Sequence, residues 1–420
     1  MSVSNGFRNF AARLRELIDL RARGPNALPF RELALELFDL QFQHNEPFQT
    51  HCRARRVTPE SVDDWTQIPA LPTAAFKAFE VTCLASADRT TVFLSSGTTR
   101  QTPSRHFHNQ ASLEIYEASL LPWFAEHLFS EHERVAVDET PLLENGKPRR
   151  IDPRLRNGAG SPSNTPAGSL PHGSGPGVAQ KIRMLSLTPA PFQAPHSSLV
   201  YMCEAVRRAV GSADSRFLGL TDAQGAWHLD LAAAHAALRE VVSRREPVLL
   251  LGTAFSFVQL LDSLVERNLG FALPAGSRVM ETGGYKGRSR EVTRPQLHSL
   301  ITERLAVSPA LIISEYGMSE ISSQAYDAVV STPQPEPRTA GRVFRFPPWV
   351  RIRVISPETG REVAPGETGM LQIFDLANVY SVMAVQTEDL VIRRQDGFQM
   401  IGRSPQTEPR GCSLMPAALP

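Results

Sequence analysis

The chain opens on a helical rhythm. In NGFRNFAARLRELIDL the apolar residues Phe10, Leu14, Ile18 and Leu20 fall roughly on one side of a helix, and PFRELALELFDLQFQHN repeats the spacing. Residues 1–90 are therefore expected to be mainly helical. Beyond them, short apolar runs alternate with helical patterns. TVFL (91–94) leads into a Ser/Gly/Thr turn, and ASLEIYEASLLPWFAEHLF then reads as a helix. EPVLLLG (246–252) reads as a buried strand before the helical FVQLLDSLVERN, while SRVMETGG and ALIISEYG read as strands that run into turns. This β-loop-α rhythm predicts an α/β architecture with ligand sites at the strand ends. From Arg342 onward VRIRVISPETG, GMLQIFDLA, EDLVIRRQDG and FQMIGR are short strands separated by turns, which predicts a β-rich subdomain. Two units are expected. Residues 1–341 form a helical region plus an α/β core, and 342–420 form the β-rich subdomain with a short tail carrying Cys412. NGAGSPSNTPAGSLPHGSGPG, about 157–177, offers almost nothing to pack and reads as a flexible insertion.

Charge excludes some function classes. The formal net charge of the 420 residues is +1, so no global field draws the chain to nucleic acid or anionic lipid. Lysine stands only at Lys77, Lys147, Lys181 and Lys286; the remaining basic residues are arginines, scattered along the chain, which argues against a nucleic-acid partner. No apolar stretch is long enough to span a membrane, and the N-terminus lacks the apolar core of a signal peptide. Cys52, Cys83, Cys203 and Cys412 are far apart and show no CxxC spacing, so the expectation is a reduced cytoplasmic protein with free thiols.

Five stretches carry candidate chemistry. FLSSGTTR ends a strand in Ser95, Ser96, Gly97, Thr98 and Thr99, whose hydroxyls and backbone N–H groups suit phosphate oxygens. In SEYGMSE, Tyr316 offers an aromatic face for a purine, Ser319 a hydroxyl, and Glu320 a hard oxygen ligand for magnesium. ETGGYKG presents Gly283 and Gly284 to a flat base. QTEDL places Asp389 to accept from sugar hydroxyls, and IGR places Arg403 to reach a ribose or a phosphate. Each stretch alone also fits an ordinary strand end.

The order and spacing of all five resemble the adenylate-forming superfamily, which comprises acyl-CoA synthetases, nonribosomal-peptide adenylation domains and firefly luciferase. The resemblance implies an enzyme that joins a carboxylate to ATP, giving acyl-AMP and pyrophosphate. It assigns Ser95, Ser96, Gly97, Thr98 and Thr99 to the triphosphate loop and Gly283 and Gly284 to the adenine-side turn. It assigns Tyr316 to adenine stacking, Ser319 to the α-phosphate, Glu320 to Mg²⁺, and Asp389 with Arg403 to the ribose. The sequence departs from the pattern twice. Arg100 follows the loop where glycine and later lysine are usual. Only residues 404–420 follow Arg403, and none is lysine, so the expected large-domain core lacks the full mobile lid and its catalytic lysine.

Within that superfamily the chain resembles the LuxE-type acyl-protein synthetases of bacterial bioluminescence operons. The resemblance rests on QFQHNEPFQTHC, IPALPTAAFK, SSGTT with SRHF, LSLTPAPFQAPHSSLVYM, TGGYKG, EYGMSE and the closing RGCSL. It implies activation of a fatty acid, acylation of the enzyme's own cysteine, here Cys412, and delivery to an acyl reductase. Arg410 would lower the thiol pKa and Gly411 would loosen the arm. Lys286 is the candidate for neutralising phosphate charge in place of the lid lysine. Phe255 and Phe257, at the end of the EPVLLLGTAFSF strand, and His106, just beyond the phosphate loop, are candidates for the acyl pocket. Two alternatives stay open: transfer to coenzyme A or a carrier protein after the same adenylation, and a non-catalytic nucleotide-binding subunit of a reductase complex.

Overall fold

A computed structural model describes residues 3–22, 28–95, 102–130, 143–144, 147–148, 181–223, 225–283, 292–330 and 342–403. Helices α1 (Val3–Ala22), α2 (Phe30–His44) and α3 (Glu46–Ala54) come first, followed by β1 (Leu71–Pro72) and the single turn α4 (Ala75–Ala78). The hairpin β2 (Thr91–Leu94) and β3 (Arg105–His108) precedes helix α5 (Gln110–Leu128) and a short pair, β4 (Leu143–Glu144) and β5 (Lys147–Pro148). The α/β region follows. It comprises β6 (Arg183–Pro189), α6 (Ser198–Val210), β7 (Arg216–Thr221), β8 (Trp227–Leu229), α7 (Leu231–Arg244), β9 (Val248–Thr253) and α8 (Ala254–Glu266), then β10 (Arg278–Thr282), α9 (Arg294–Leu305), β11 (Ile312–Tyr316) and β12 (Ala325–Tyr326). The chain then runs through β13 (Val350–Ile355), β14 (Thr368–Asp375), β15 (Ala384–Arg394) and β16 (Gly397–Arg403).

The larger sheet has the order β12-β11-β10-β9-β6-β7-β8; its five inner strands are parallel and both edge strands antiparallel. Its central strands are apolar on both faces because helices cover both. Alternation along each strand divides the side chains between two cores. Leu185, Leu250, Val279 and Ile312 pack with α7, α8 and α9. Met184, Leu249, Leu251, Met280 and Ile313 pack with α5 and α6. The strand order reverses between β6 and β9, and α/β sheets bind ligands outside the carboxyl ends of the strands at such a switch point.

The second sheet runs β1-β15-β14-β13; β1 pairs with β15 at Val385 and Gln386, and β16 pairs with it farther along, from Asp389 to Arg394. The N-terminal helices pack on this sheet: Phe10, Leu14, Ile18, Leu37 and Phe38 share one core with Ile373, Phe374 and Val385. Gln41 is fully buried and stitches α2 to the β14–β15 turn. Its Nε2 donates to the Asn378 and Val379 carbonyls at 2.9 and 3.0 Å, and its Oε1 accepts from Met383 N–H at 2.9 Å. Each such buried bond contributes about 1 kcal/mol, and an unpaired group there costs more. Leu20, expected on the buried side of α1, is 45% exposed. Two residues past Ile18 the helix has turned by about 200°, which points Leu20 away from the core.

Candidate active site

Strand β2 leads into the Ser/Gly/Thr stretch, of which Ser95 is among the described residues. Ser95 N–H donates to the Ser104 carbonyl at 3.1 Å, and Ser104 N–H donates to Ser95 Oγ at 2.9 Å, so both ends of the loop are pinned together. Ser96, Gly97, Thr98 and Thr99 lie outside the described residues, as do Gly284, Lys286, the 157–177 stretch and Cys412. On the far side of the loop Ser104, fully buried, donates its hydroxyl to Glu320 Oε1 at 2.5 Å. His106 Nδ1 lies 2.5 Å from the Ser319 carbonyl. Burial lowers the His106 pKa to about 4, so at neutral pH the ring is uncharged and donates from Nδ1.

The turn after β11 is fixed from both sheets. A Cβ at Gly317 would lie 2.4 Å from Glu315 Oε1, so a larger residue there would displace that carboxylate. Asp375, at the end of β14, accepts from Ser322 N–H at 2.9 Å and Ser323 Oγ at 2.7 Å. Asn378 Nδ2 donates to the Glu320 carbonyl at 2.9 Å. The Ser198 and Ser319 hydroxyls are 3.5 Å apart, which brings the start of α6 to the same place. Glu320 is itself buried. Burial pushes its carboxyl pKa up, while the Ser104 hydroxyl, its own backbone and the charges of Arg403 and Lys77 pull it down.

Tyr316 faces the second sheet. Its hydroxyl donates to Asp389 Oδ2 at 2.6 Å, and Arg403 Nε lies 3.5 Å from Asp389 Oδ1. Asp389 and Arg403 are cross-strand partners in the β15–β16 ladder. The Tyr316 ring packs edge-on against Phe398, with centroids 5.2 Å apart. Thr282 and Glu315 are partners in the β10–β11 ladder, so Gly283 lies level with Tyr316; its φ of +73° is the left-handed region that favours glycine. The carboxyl edge thus brings together Ser95, His106, Gly283, Tyr316, Ser319, Glu320, Asp389 and Arg403. Phe255 and Phe257 begin helix α8 instead of ending the strand, because the Thr253 hydroxyl caps that helix at Ser256 N–H, 3.0 Å away. Phe255 is half-buried, whereas Phe257 has no exposed surface and belongs to the core.

Sequence reasoning gave no role to Ser104, Glu315, Asp375 or Asn378, although Ser104 lies in the quoted SRHF and Glu315 in the quoted SEYGMSE. For the other two the signal was the Asp and Asn of DLANVYS, just past an apolar strand. Among the described residues no group of three or more His, Cys, Asp or Glu is arranged to hold a metal ion. A single buried carboxylate such as Glu320 suits Mg²⁺, which is commonly bound by one or two carboxylates together with substrate phosphates. The thiols of the described residues are poor nucleophiles. Burial pushes those of Cys52 and Cys203 up to about 12 and raises that of Cys83 further. Among the described residues no helix is long and apolar enough to cross a membrane.

The family model described as acyl-protein synthetase, LuxE, matches residues 175–418. A search of the curated proteins finds no match. Among solved structures the chain is similar to a 2-hydroxyisobutyryl-CoA ligase in an open conformation with 2-HIB-AMP and CoA. The TM-score is 0.54 at 10% identity, over 89% of this chain and 69% of that one. The same ligase in its thioesterification state gives a TM-score of 0.55 at 11% identity, over 93% and 67%. The likeness shows the fold, that of the adenylate-forming enzymes.

Proposed function

The chain belongs to the LuxE acyl-protein synthetase family and is an adenylate-forming ligase, and from that premise we propose that it activates a carboxylic acid with ATP as acyl-AMP and then takes the acyl group onto Cys412. The observation that carries the first step is the convergence of Tyr316, Glu320, Asp389 and Arg403 at one sheet edge beside the Ser95–Ser104 loop. A carboxylate is a poor electrophile because its leaving group would be oxide. An acid oxygen attacks the α-phosphorus, the bond to the bridging oxygen breaks, and pyrophosphate leaves with the electron pair. The Tyr316 ring and Gly283 flank the adenine, Asp389 and Arg403 hold the ribose, and Ser319 lies toward the α-phosphate. The loop Ser95, Ser96, Gly97, Thr98 and Thr99 supplies hydroxyl and backbone N–H donors to the phosphates, which stabilise charge as it develops. Glu320 would hold Mg²⁺, whose chemistry is to neutralise the charge of the leaving pyrophosphate. Lys286 adds charge beside the adenine turn, and Phe255 and His106 lie toward the acyl end.

In the second step the Cys412 thiolate attacks the acyl carbonyl, a C–S bond forms, and AMP leaves with the electrons of the broken C–O bond. The high-pKa thiols of Cys52 and Cys203, both buried, and of half-buried Cys83 support the assignment of the acceptor to the fourth cysteine. A fatty acid is the proposed substrate, and an acyl reductase or a carrier protein the proposed receiver. ATP-dependent labelling with radioactive acids tests the proposal. The expected result is covalent acyl label on the wild type, and acyl-AMP without covalent label on Cys412→Ser. If the wild type holds no label and coenzyme A yields a free thioester, the acceptor is coenzyme A and self-acylation is refuted.

A further inference from the structure

Three contacts place α4 beside the phosphate end of the cleft. Thr73 N–H donates to the Gln386 carbonyl at 3.0 Å, which ties the start of the turn to β15. Phe76 is fully buried, and its ring meets that of His106 edge-on at 6.3 Å. His106 in turn holds the Ser319 carbonyl, one residue before Glu320. The next residue on the turn is Lys77, half-buried, and its positive charge favours the ionised form of Glu320.

Two neighbouring arginines face a different group. Arg89 and Arg105 pair with Glu80 at 2.5 and 3.5 Å and lie over the Phe107 ring. Lysine stands at only four positions in a chain whose other basic residues are all arginine. A lysine ammonium is a compact charge with three rotatable donors and binds phosphate oxygens as a point charge.

Resting on the adenylation reading above, we propose that Lys77 is a catalytic residue whose ammonium binds the β- and γ-phosphates of ATP and stabilises the leaving pyrophosphate. As the bond between the α-phosphorus and the bridging oxygen breaks, its electron pair adds one negative charge to pyrophosphate. Lys77 meets that charge from the N-terminal side of the cleft without transferring a proton.

The test is acid-dependent ATP–pyrophosphate exchange with the full chain, alongside calorimetric AMP binding. Lys77→Met is expected to lower exchange by about 100-fold or more and to raise the KM for pyrophosphate. AMP, which lacks both outer phosphates, should bind as to the wild type. Lys77→Arg should recover part of the loss. If Lys77→Met exchanges within about twofold of the wild type, or loses AMP binding in step with exchange, the proposal is overturned; the second result would make α4 merely structural. A wild type that gives no exchange with any acid removes the adenylation reading and this proposal with it. Equal exchange by the wild type and Lys77→Met removes this proposal alone.

Discussion

The Tyr316 hydroxyl donates to Asp389 Oδ2 at 2.6 Å, so the end of β11 in one sheet is bonded to β15 in the other. Burial, with the Asp389 charge beside it, holds the Tyr316 hydroxyl well above its usual pKa and keeps it a donor. An ionised carboxylate has about four acceptor positions, so Asp389 can keep Tyr316 and Arg403 and still accept from a ribose.

Asp389 and Tyr316 should therefore fail differently. Asp389→Ala removes a charge-assisted acceptor worth roughly 1.5–3 kcal/mol, so the KM for ATP is expected to rise about 10- to 100-fold. Tyr316→Phe keeps the ring and loses one hydrogen bond, for about a fivefold rise. Steady-state kinetics with saturating acid separates the two. Equal losses would mean that the hydroxyl, and not the ring, carries the binding.

Glu320 must be ionised to hold a cation, yet burial raises its pKa. Activity should therefore climb with pH through the Glu320 pKa. Ser104→Ala removes the donor that favours the ionised form, so the acid limb of the pyrophosphate-exchange profile should move to higher pH. Glu320→Gln should abolish that limb and lower the rate by about 100-fold or more at any Mg²⁺ concentration. An unmoved limb in Ser104→Ala would assign it to another group.

Glu315 gives the fold its own pH dependence. Burial raises its pKa to about 7, with the Thr282 hydroxyl opposing and the Glu281 charge adding to the rise. Between the ordinary value of 4.5 and about 7 the folded chain holds a proton that the unfolded chain has released. That stability is fully present below 4.5 and is lost as pH rises through 7, by about 3 kcal/mol at most. Glu315→Gln should flatten this loss, as read from denaturant unfolding at pH 5 and pH 8. A loss of the same size in the variant would assign it elsewhere.

The parallel strands were legible because runs such as VLLLG are apolar on both faces, and β13–β16 because their turns are marked. Leu20 misled because apolar identity alone does not follow the 100° step of the helix. Tyr316, Glu320, Asp389 and Arg403 stood out because each sits in a short motif of the ordered set, although Asp389 lies inside β15 and not at its end. Ser104, Asp375 and Asn378 did not, since their work exists only in contacts such as Ser104–Glu320, made by residues 216 positions apart. No local pattern announces a hydroxyl whose partner comes from another element.

Arg403 depends on how β16 is seated, and two glycines on that strand test this. A Cβ on Gly397 would lie 2.0 Å from the Phe344 carbonyl oxygen, backbone that is itself held by Phe344 N–H to Phe398 O at 2.8 Å. A Cβ on Gly402 would meet nothing within 4 Å. Gly397→Ala must push the strand off Phe344, at a cost of about 1–3 kcal/mol, the range of overpacked sites. Because Gly397 pairs with Arg394 and Arg403 with Asp389 in one ladder, the shift should also raise the KM for ATP. Gly402→Ala, next to Arg403 itself, should leave stability within about 0.5 kcal/mol of the wild type. Chemical unfolding of both variants decides the matter: equal stabilities would mean that β16 does not depend on this close approach, and that Arg403 is positioned by its pairing with β15 alone.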